Sequence, residues 1–137
     1  MKAVSIWTDG SCSNNPGPGG FAAILQWGEH THEIKGGEPH TTNNRMELRA
    51  IVAGLEAIKA AAEITVYTDS QYAAGAFTGN KIKKNADLIT AGLLKIEAIK
   101  KMGGTVTFQH VNGHAGDPLN ERCDKLARQQ TAIQKEA

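Results

Sequence analysis

The sequence predicts an α/β fold, and three observations carry that prediction. Short apolar runs punctuated by Gly and Pro fill the first third of the chain. A long alanine-rich segment of helical period follows, and after it strand-like and helix-like segments alternate to the end. The first three strands are expected over residues 3–8, 21–27 and 32–36, and their short connections suggest an antiparallel meander. From Thr42 the period turns helical, and the stretch "TTNNRMELRAIVAGLEAIKAAA" offers Thr and Asn as capping candidates, then places Ile51, Leu55 and Ile58 on one helical stripe. Residues 64–68 form a fourth strand. A helix separates it from the earlier strands, which opens a parallel crossover. A short helix is expected after Asp69, and a longer one over 86–102 with Leu88, Ile89, Leu93, Ile96 and Ile99 as its apolar residues. A fifth strand covers 105–111. The final helix starts with Asp117 as N-cap and Pro118 in the first helical position, and residues 132–137 are expected to fray.

A chain of 137 residues has the length of one domain, so residues 1–137 are expected to form a single unit without a linker or repeat. Its 40% hydrophobic and 21% charged residues are ordinary for a soluble globular protein. No run approaches the roughly 18 apolar residues that a membrane span needs. The start "MKAVSIWTDG" enters a strand pattern directly, with no signal or transit peptide expected. Cys12 and Cys123 make neither a disulfide framework nor a zinc spacing, so the cytoplasm is the expected compartment. The net charge of +1 lacks the basic surplus usual in nucleic-acid binders, and composition alone points to no partner.

Acids stand where a core is expected. Asp9 and Asp69 each follow an apolar strand-like run, and ligand sites in open α/β sheets gather at strand carboxyl ends. Glu47 precedes Ile51 by four residues and Leu55 by eight, so it heads the apolar helix stripe. A first-turn glutamate favoured by the helix dipole is the bland explanation for it alone. Asp124 lies in the last helix on an ambiguous face, where a solvated surface acid is the simple reading. Together these acids raise the odds of a shared site. If the first and fourth strands are parallel neighbours, Asp9 and Asp69 emerge at one edge with Glu47 beside them. Like charges so close repel and shift their pKa values. A hard divalent cation removes that conflict, and Mg²⁺ favours a few carboxylates plus phosphate oxygens. Two such ions about 3.5–4 Å apart are a recurring device for phosphodiester hydrolysis.

The stretches "TDGSC..NPGPGG", "TTNNRMEL", "YTDSQY" and "VNGHAG.P.NERCD.LA" resemble those of a type-1 ribonuclease H of the bacterial ribonuclease HI family, in the same order and spacing. The resemblance covers nearly the whole chain, and four stretches together are far more specific than any one. It implies a ribonuclease H-like fold: a five-stranded mixed sheet of order 3-2-1-4-5 with helices on both faces. It also implies that Asp9, Glu47, Asp69 and Asp124 hold the metal. The implied reaction is hydrolysis of the RNA strand of an RNA–DNA hybrid by two Mg²⁺ ions, with Mn²⁺ a possible substitute, leaving 5′-phosphate and 3′-hydroxyl ends. The implied partner is the hybrid duplex, with no membrane, and a monomer is the default state.

Other residues divide between local and functional readings. His110 and His114 could suggest zinc, but Gly113 and Gly116 argue for a loop and no cysteine pair accompanies them. By resemblance His114 is a catalytic histidine that assists proton transfer or product release. The loop "GSCSNNPGPGG" lacks the Gly-Lys-Ser/Thr ending of a P-loop and reads locally as a tight hairpin. By resemblance Cys12, Asn14, Asn15, Asn43, Asn44 and Gln71 border the nucleic-acid groove, where side-chain amides can read a 2′-hydroxyl. For Asn43 and Asn44 helix capping is the alternative, and one could cap while the other reads ribose. Thr42 and Asn85 match positions that hold a DNA-strand phosphate, against a cap and a helix start as local readings. Trp7 and Trp27 read as core or sheet-face residues, and Cys123 as packing in the last helix.

The sequence also departs from the family. Many type-1 enzymes carry an extra helix and a basic, tryptophan-containing loop before the position of Asn85. Here that stretch, "QYAAGAFTGNKIKKNAD", has no tryptophan and only Lys81, Lys83 and Lys84 for charge. The rival function is a hybrid-binding module that does not cut, which the presence of all four acids disfavours. A strand transferase or junction resolvase needs further domains or another acid pattern.

Overall fold

A computed structural model describes residues 1–79, 81–112 and 117–137. The elements follow the chain as β1 (Lys2–Cys12), β2 (Gly17–Trp27), β3 (His30–Thr41), α1 (Asn43–Glu56), β4 (Ala62–Thr68), α2 (Gln71–Phe77), α3 (Ala86–Lys101), β5 (Thr105–His110) and α4 (Pro118–Glu136). The strands form one mixed sheet in the order β3-β2-β1-β4-β5, as expected. The first three pair antiparallel, while β4 pairs parallel to both β1 and β5.

Alternation along β1 sends Val4 and Ile6 to one face and Trp7 to the other. On the first face they join Ile64 and Val66 of β4 beneath Leu48, Ile51, Val52 and Leu55 of α1 and Ile96 and Ile99 of α3. On the second face Ala22 and Ile24 of β2 pack against Cys123, Leu126 and Ala127 of α4. Helices therefore cover both faces. Thr42 caps α1, its Oγ1 accepting from the Arg45 N–H at 3.2 Å. Asp117 caps α4 with Pro118 in the first turn, its Oδ1 accepting from Leu119 at 2.9 Å and Asn120 at 3.3 Å. Among the described residues no helix is long and apolar enough to cross a membrane.

Several boundaries differ from the sequence expectation, each for a non-local reason. β1 continues beyond residue 8 because its pairing with β2 runs through Asp9↔Ala22 to Cys12↔Gly19, whereas its pairing with β4 ends at Trp7↔Tyr67. Asp9 thus lies inside a strand, and only Asp69 follows a strand end. β3 also reaches from His30 to Thr41, because β2 offers it partners along nearly its whole length. Conversely α1 stops at Glu56 despite the alanine-rich sequence beyond. The Ile58 N–H bonds the Leu55 carbonyl at 3.1 Å, tightening the last turn so that Ile58 enters the core, and Ala62 is claimed by pairing with Lys2. In α3 the buried stripe runs through Gly92, not Leu93, which is 45% exposed; a side chain at Gly92 would collide with the Phe77 ring. The tail expected to fray over 132–137 is helical to Glu136, with Gln134 against Gly37 of β3.

Candidate metal centre and nucleic-acid interface

The parallel register of β1 and β4 puts Asp9 and Asp69 level, each two residues beyond the Trp7↔Tyr67 pair. Glu47 reaches them from the second turn of α1 because β1 offers no side chain at Gly10. A Cβ there would sit 2.5 Å from the Glu47 backbone nitrogen and 2.6 Å from the Met46 carbonyl carbon. Only glycine lets the helix start rest on the strand. One carboxylate oxygen each from Asp9, Glu47 and Asp69 consequently lies within 4.8 Å of the others.

The electrostatics of this cluster are adverse without a cation. Asp9 is buried, and burial first, then the charges of Asp69 and Asp124, push its carboxyl up to about 8. Its Oδ1 accepts one compensating hydrogen bond, from the Gly10 N–H at 2.9 Å. Glu47 is held well above the carboxylate range, again by burial first and then by Asp9 and Asp69. Glu47 Oε1 is buried without a hydrogen-bond partner among the described residues. A buried acceptor left without a donor costs about 1–3 kcal/mol. Hard oxygen donors, one orphaned and all crowded by like charge, are the donor set that a divalent cation satisfies.

Asp124, on α4, stands at the margin. Its charge reaches Asp9, yet it is outside the close trio, is 38% exposed, and pairs with Arg128 one turn on at 3.2 Å. The structure therefore joins three of the four expected acids tightly and brings the fourth alongside. Cys123, its neighbour in sequence, is buried; it donates to the carbonyls of Ala22 at 3.2 Å and Trp7 at 3.4 Å, and burial pushes its thiol far up. It is a packing residue, as expected, and not a nucleophile.

The expected groove residues gather beside the acids. Cys12 donates to the Thr41 carbonyl at 3.5 Å, and Asn15 Oδ1 accepts from the Asn43 N–H at 3.0 Å, which ties the β1–β2 loop to the start of α1. Asn14 is exposed in a left-handed conformation with φ 60°. Asn43 and Asn44 are exposed in the first turn of α1; Thr42 is its cap, so neither asparagine caps it. Gln71 opens α2, exposed. The side chains of Asn14, Asn43, Asn44 and Gln71 make no hydrogen bond among the described residues, which leaves their amides available. Asn85 is the exception, bonded at both ends of its amide to Tyr72 and Arg45. His114 lies outside the described residues.

Sequence reasoning passed over three residues that shape the site. Gly10 permits the approach of α1. Arg45 connects α1 to the start of α3. His110, read only as a strand residue, has Nε2 3.1 Å from the Asp69 carbonyl oxygen, so this nitrogen must carry the proton and donate. No local signal marks these roles, because each depends on contact with residues about 40 positions away.

A mixed sheet with helices on both faces and a crowded carboxylate cluster where β1 and β4 part defines an α/β protein with a candidate metal site. The chain belongs to the ribonuclease H family: the model described as RNase H matches residues 1–132. It is 46% identical to a ribonuclease H of Bradyrhizobium sp. (strain ORS 278) over 97% of this chain and 92% of that relative. A ribonuclease H of Agrobacterium fabrum is also 46% identical, over 93% of this chain and 94% of the relative. Among solved structures, the N-terminal RNase H domain of Rv2228c from Mycobacterium tuberculosis superposes with a TM-score of 0.80 at 26% identity, covering 99% of this chain and 98% of that one. LC11-RNase H1, solved in complex with an RNA/DNA hybrid, matches with a TM-score of 0.73 at 26% identity, over 95% and 97% of the two chains.

Proposed function

We propose that this protein is an endoribonuclease that hydrolyses the RNA strand of RNA–DNA hybrids, leaving 5′-phosphate and 3′-hydroxyl ends. The observation that carries the reading is the convergence of Asp9, Glu47 and Asp69 within 4.8 Å, two of them buried and one with an orphaned oxygen. Family membership and the hybrid-bound structure of a relative supply the substrate class.

Asp9, Glu47 and Asp69 would hold Mg²⁺ or Mn²⁺, with Asp124 contributing to a second position beside Asp9 when substrate is bound. Bound divalent ions supply the activation of water and the stabilisation of the leaving 3′ oxygen. The chain's own residues orient the strand to be cut. Exposed amides of Asn14, Asn43, Asn44 and Gln71, with Cys12 and Asn15 shaping the loop, present donors and acceptors for ribose 2′-hydroxyls. Such contacts read sugar and backbone, so cleavage depends little on base sequence. Thr42 and Asn85 are assigned to a phosphate of the DNA strand. His114 is assigned an assisting role; His114→Ala should slow turnover substantially without eliminating it and should leave hybrid affinity nearly unchanged. Two free thiols fit a reducing cytoplasm, and the chain is taken to act as a monomer.

The decisive assay offers labelled hybrid, duplex DNA and duplex RNA to the protein with and without Mg²⁺. Cleavage confined to the RNA of the hybrid and dependent on the ion is expected. Binding of hybrid without cleavage under any divalent ion would instead make the protein a non-catalytic module.

A further inference from the structure

Asn85 occupies an uncomfortable position. It stands at the N-cap of α3 in the left-handed region, φ 64° and ψ 31°, and its side chain makes no capping hydrogen bond. Asparagine is among the best capping residues, and forgoing a cap typically costs about 1 kcal/mol. Backbone strain combined with an unused cap points to a constraint other than helix stability.

The side chain is committed elsewhere. Asn85 Nδ2 donates to Tyr72 Oη at 2.9 Å, and Asn85 Oδ1 accepts from Arg45 Nη1 at 3.2 Å. A guanidinium can only donate, so the chemistry fixes which end of the amide faces Arg45. That leaves one N–H on Asn85 without a partner among the described residues. Arg45 also acts at its own backbone, where its N–H donates to Thr42 Oγ1 at 3.2 Å. The Thr42 hydroxyl then accepts from the protein and keeps its own hydrogen to give away. The Arg45 side chain therefore orients Asn85, while the backbone N–H at position 45, which any residue but proline supplies, orients the Thr42 hydroxyl.

Arg45 is itself held. Its guanidinium forks onto Asp87, Nη1 to Oδ1 at 3.0 Å and Nη2 to Oδ2 at 2.8 Å. We propose that Arg45, braced by Asp87 and seconded by Tyr72, is the positioning residue of the phosphate subsite: it leaves one O–H on Thr42 and one N–H on Asn85 as paired donors, and does not touch the phosphate. This rests on the phosphate reading of Thr42 and Asn85. It assigns the subsite's attraction to two neutral donors, because the cation beside them is already neutralised by Asp87.

Affinity for a hybrid, measured as Kd across a salt series in the uncleaving Asp9→Asn background, tests the assignment with Asn85→Ala as reference. Tyr72→Phe, which removes one hydroxyl, and Arg45→Gln should each weaken binding about three- to tenfold. The slope of log Kd against log salt should stay unchanged. In the cleaving protein KM should rise and kcat should hold, and Tyr72→Phe should add little on top of Asn85→Ala. Thermal melts of each variant confirm that it is folded, and Tyr72→Phe keeps the test alive if Arg45→Gln is not. A slope reduced by about 1 in Arg45→Gln would show that Arg45 contacts phosphate itself and would overturn the proposal. Wild-type affinity in Tyr72→Phe, alongside weak binding by Asn85→Ala, would overturn it too. Wild-type affinity in Asn85→Ala would instead remove the phosphate reading, and the positioning role with it.

Discussion

Asp9 concentrates the conflict on which the site is built, and that conflict has a measurable pH signature. Its carboxyl is raised from 3.8 to about 8, so between those values the metal-free folded state holds a proton that the unfolded chain has released. With more protons bound in the native state, stability falls as pH rises. This contribution is fully present below pH 4 and is lost by about pH 8. Metal-free protein should therefore melt at progressively lower temperature across that interval, and Mg²⁺ or Mn²⁺ should restore stability at the upper end by binding only the folded carboxylates. Asp9→Asn should flatten the slope, leave the fold intact, abolish hybrid cleavage and raise metal-free stability at neutral pH. Thermal melts with chelator and with metal, for both proteins, check these outcomes. Full activity in purified Asp9→Asn or Asp69→Asn, free of contaminating nuclease, would remove the metal-centre argument.

At the level of elements, the contact between the start of α1 and β1 decides whether Glu47 reaches the cluster. The capping hydroxyl of Thr42 fixes where the helix begins, while Gly10 fixes how closely it lies on the strand. Gly10→Ala places a methyl group against backbone atoms of Met46 and Glu47, which cannot swing aside as a flexible side chain would. Overpacking of this kind costs about 1–3 kcal/mol. Gly10→Ala should be destabilised by that amount in chemical denaturation and should bind Mn²⁺ more weakly, because α1 withdraws and takes Glu47 with it. Unchanged metal affinity in a destabilised Gly10→Ala would show that the carboxylate follows the metal whatever the helix does.

Across the whole molecule, the α2–α3 connection is short, at the place where the resemblance to type-1 enzymes leads one to expect an extra helix and a basic loop. Eight positions, 78–85, join Phe77 to Ala86, and among the described ones Lys81, Lys83 and Lys84 are exposed. Fewer cationic contacts with the DNA strand release fewer counterions on binding. Hybrid affinity should accordingly be weaker, and less salt-dependent, than in a relative with the full basic loop, with no requirement that the chemical step be slower. Neutralising the three lysines together should raise KM more than it lowers kcat. Titration of Kd against salt for wild type, triple variant and a full-loop relative measures this. Equal slope and affinity in wild type and relative would mean that other basic residues replace the loop.

What the sequence determined by itself is what depends on near neighbours or on motifs. Asp117 and Pro118 mark the start of α4, and the spacing from Glu47 to Leu55 places a carboxylate on the buried face of α1, because caps and helical faces are set within a few residues. The motif resemblance supplied the strand order and the four acids, three of which meet tightly. The tertiary structure alone decided where pairing ends. Asp9 proved interior to β1 because β2 continues to bond it, and the alanine-rich run beyond Glu56 left the helix because β1 claims Ala62. It alone also showed that Gly10 admits a helix, that Arg45 reaches across 40 residues to Asn85, and that Asp124 stands at the margin of the cluster, paired with Arg128. These facts turn on close approach between segments distant in the chain, and no local spacing encodes a distance between two elements that only packing brings together.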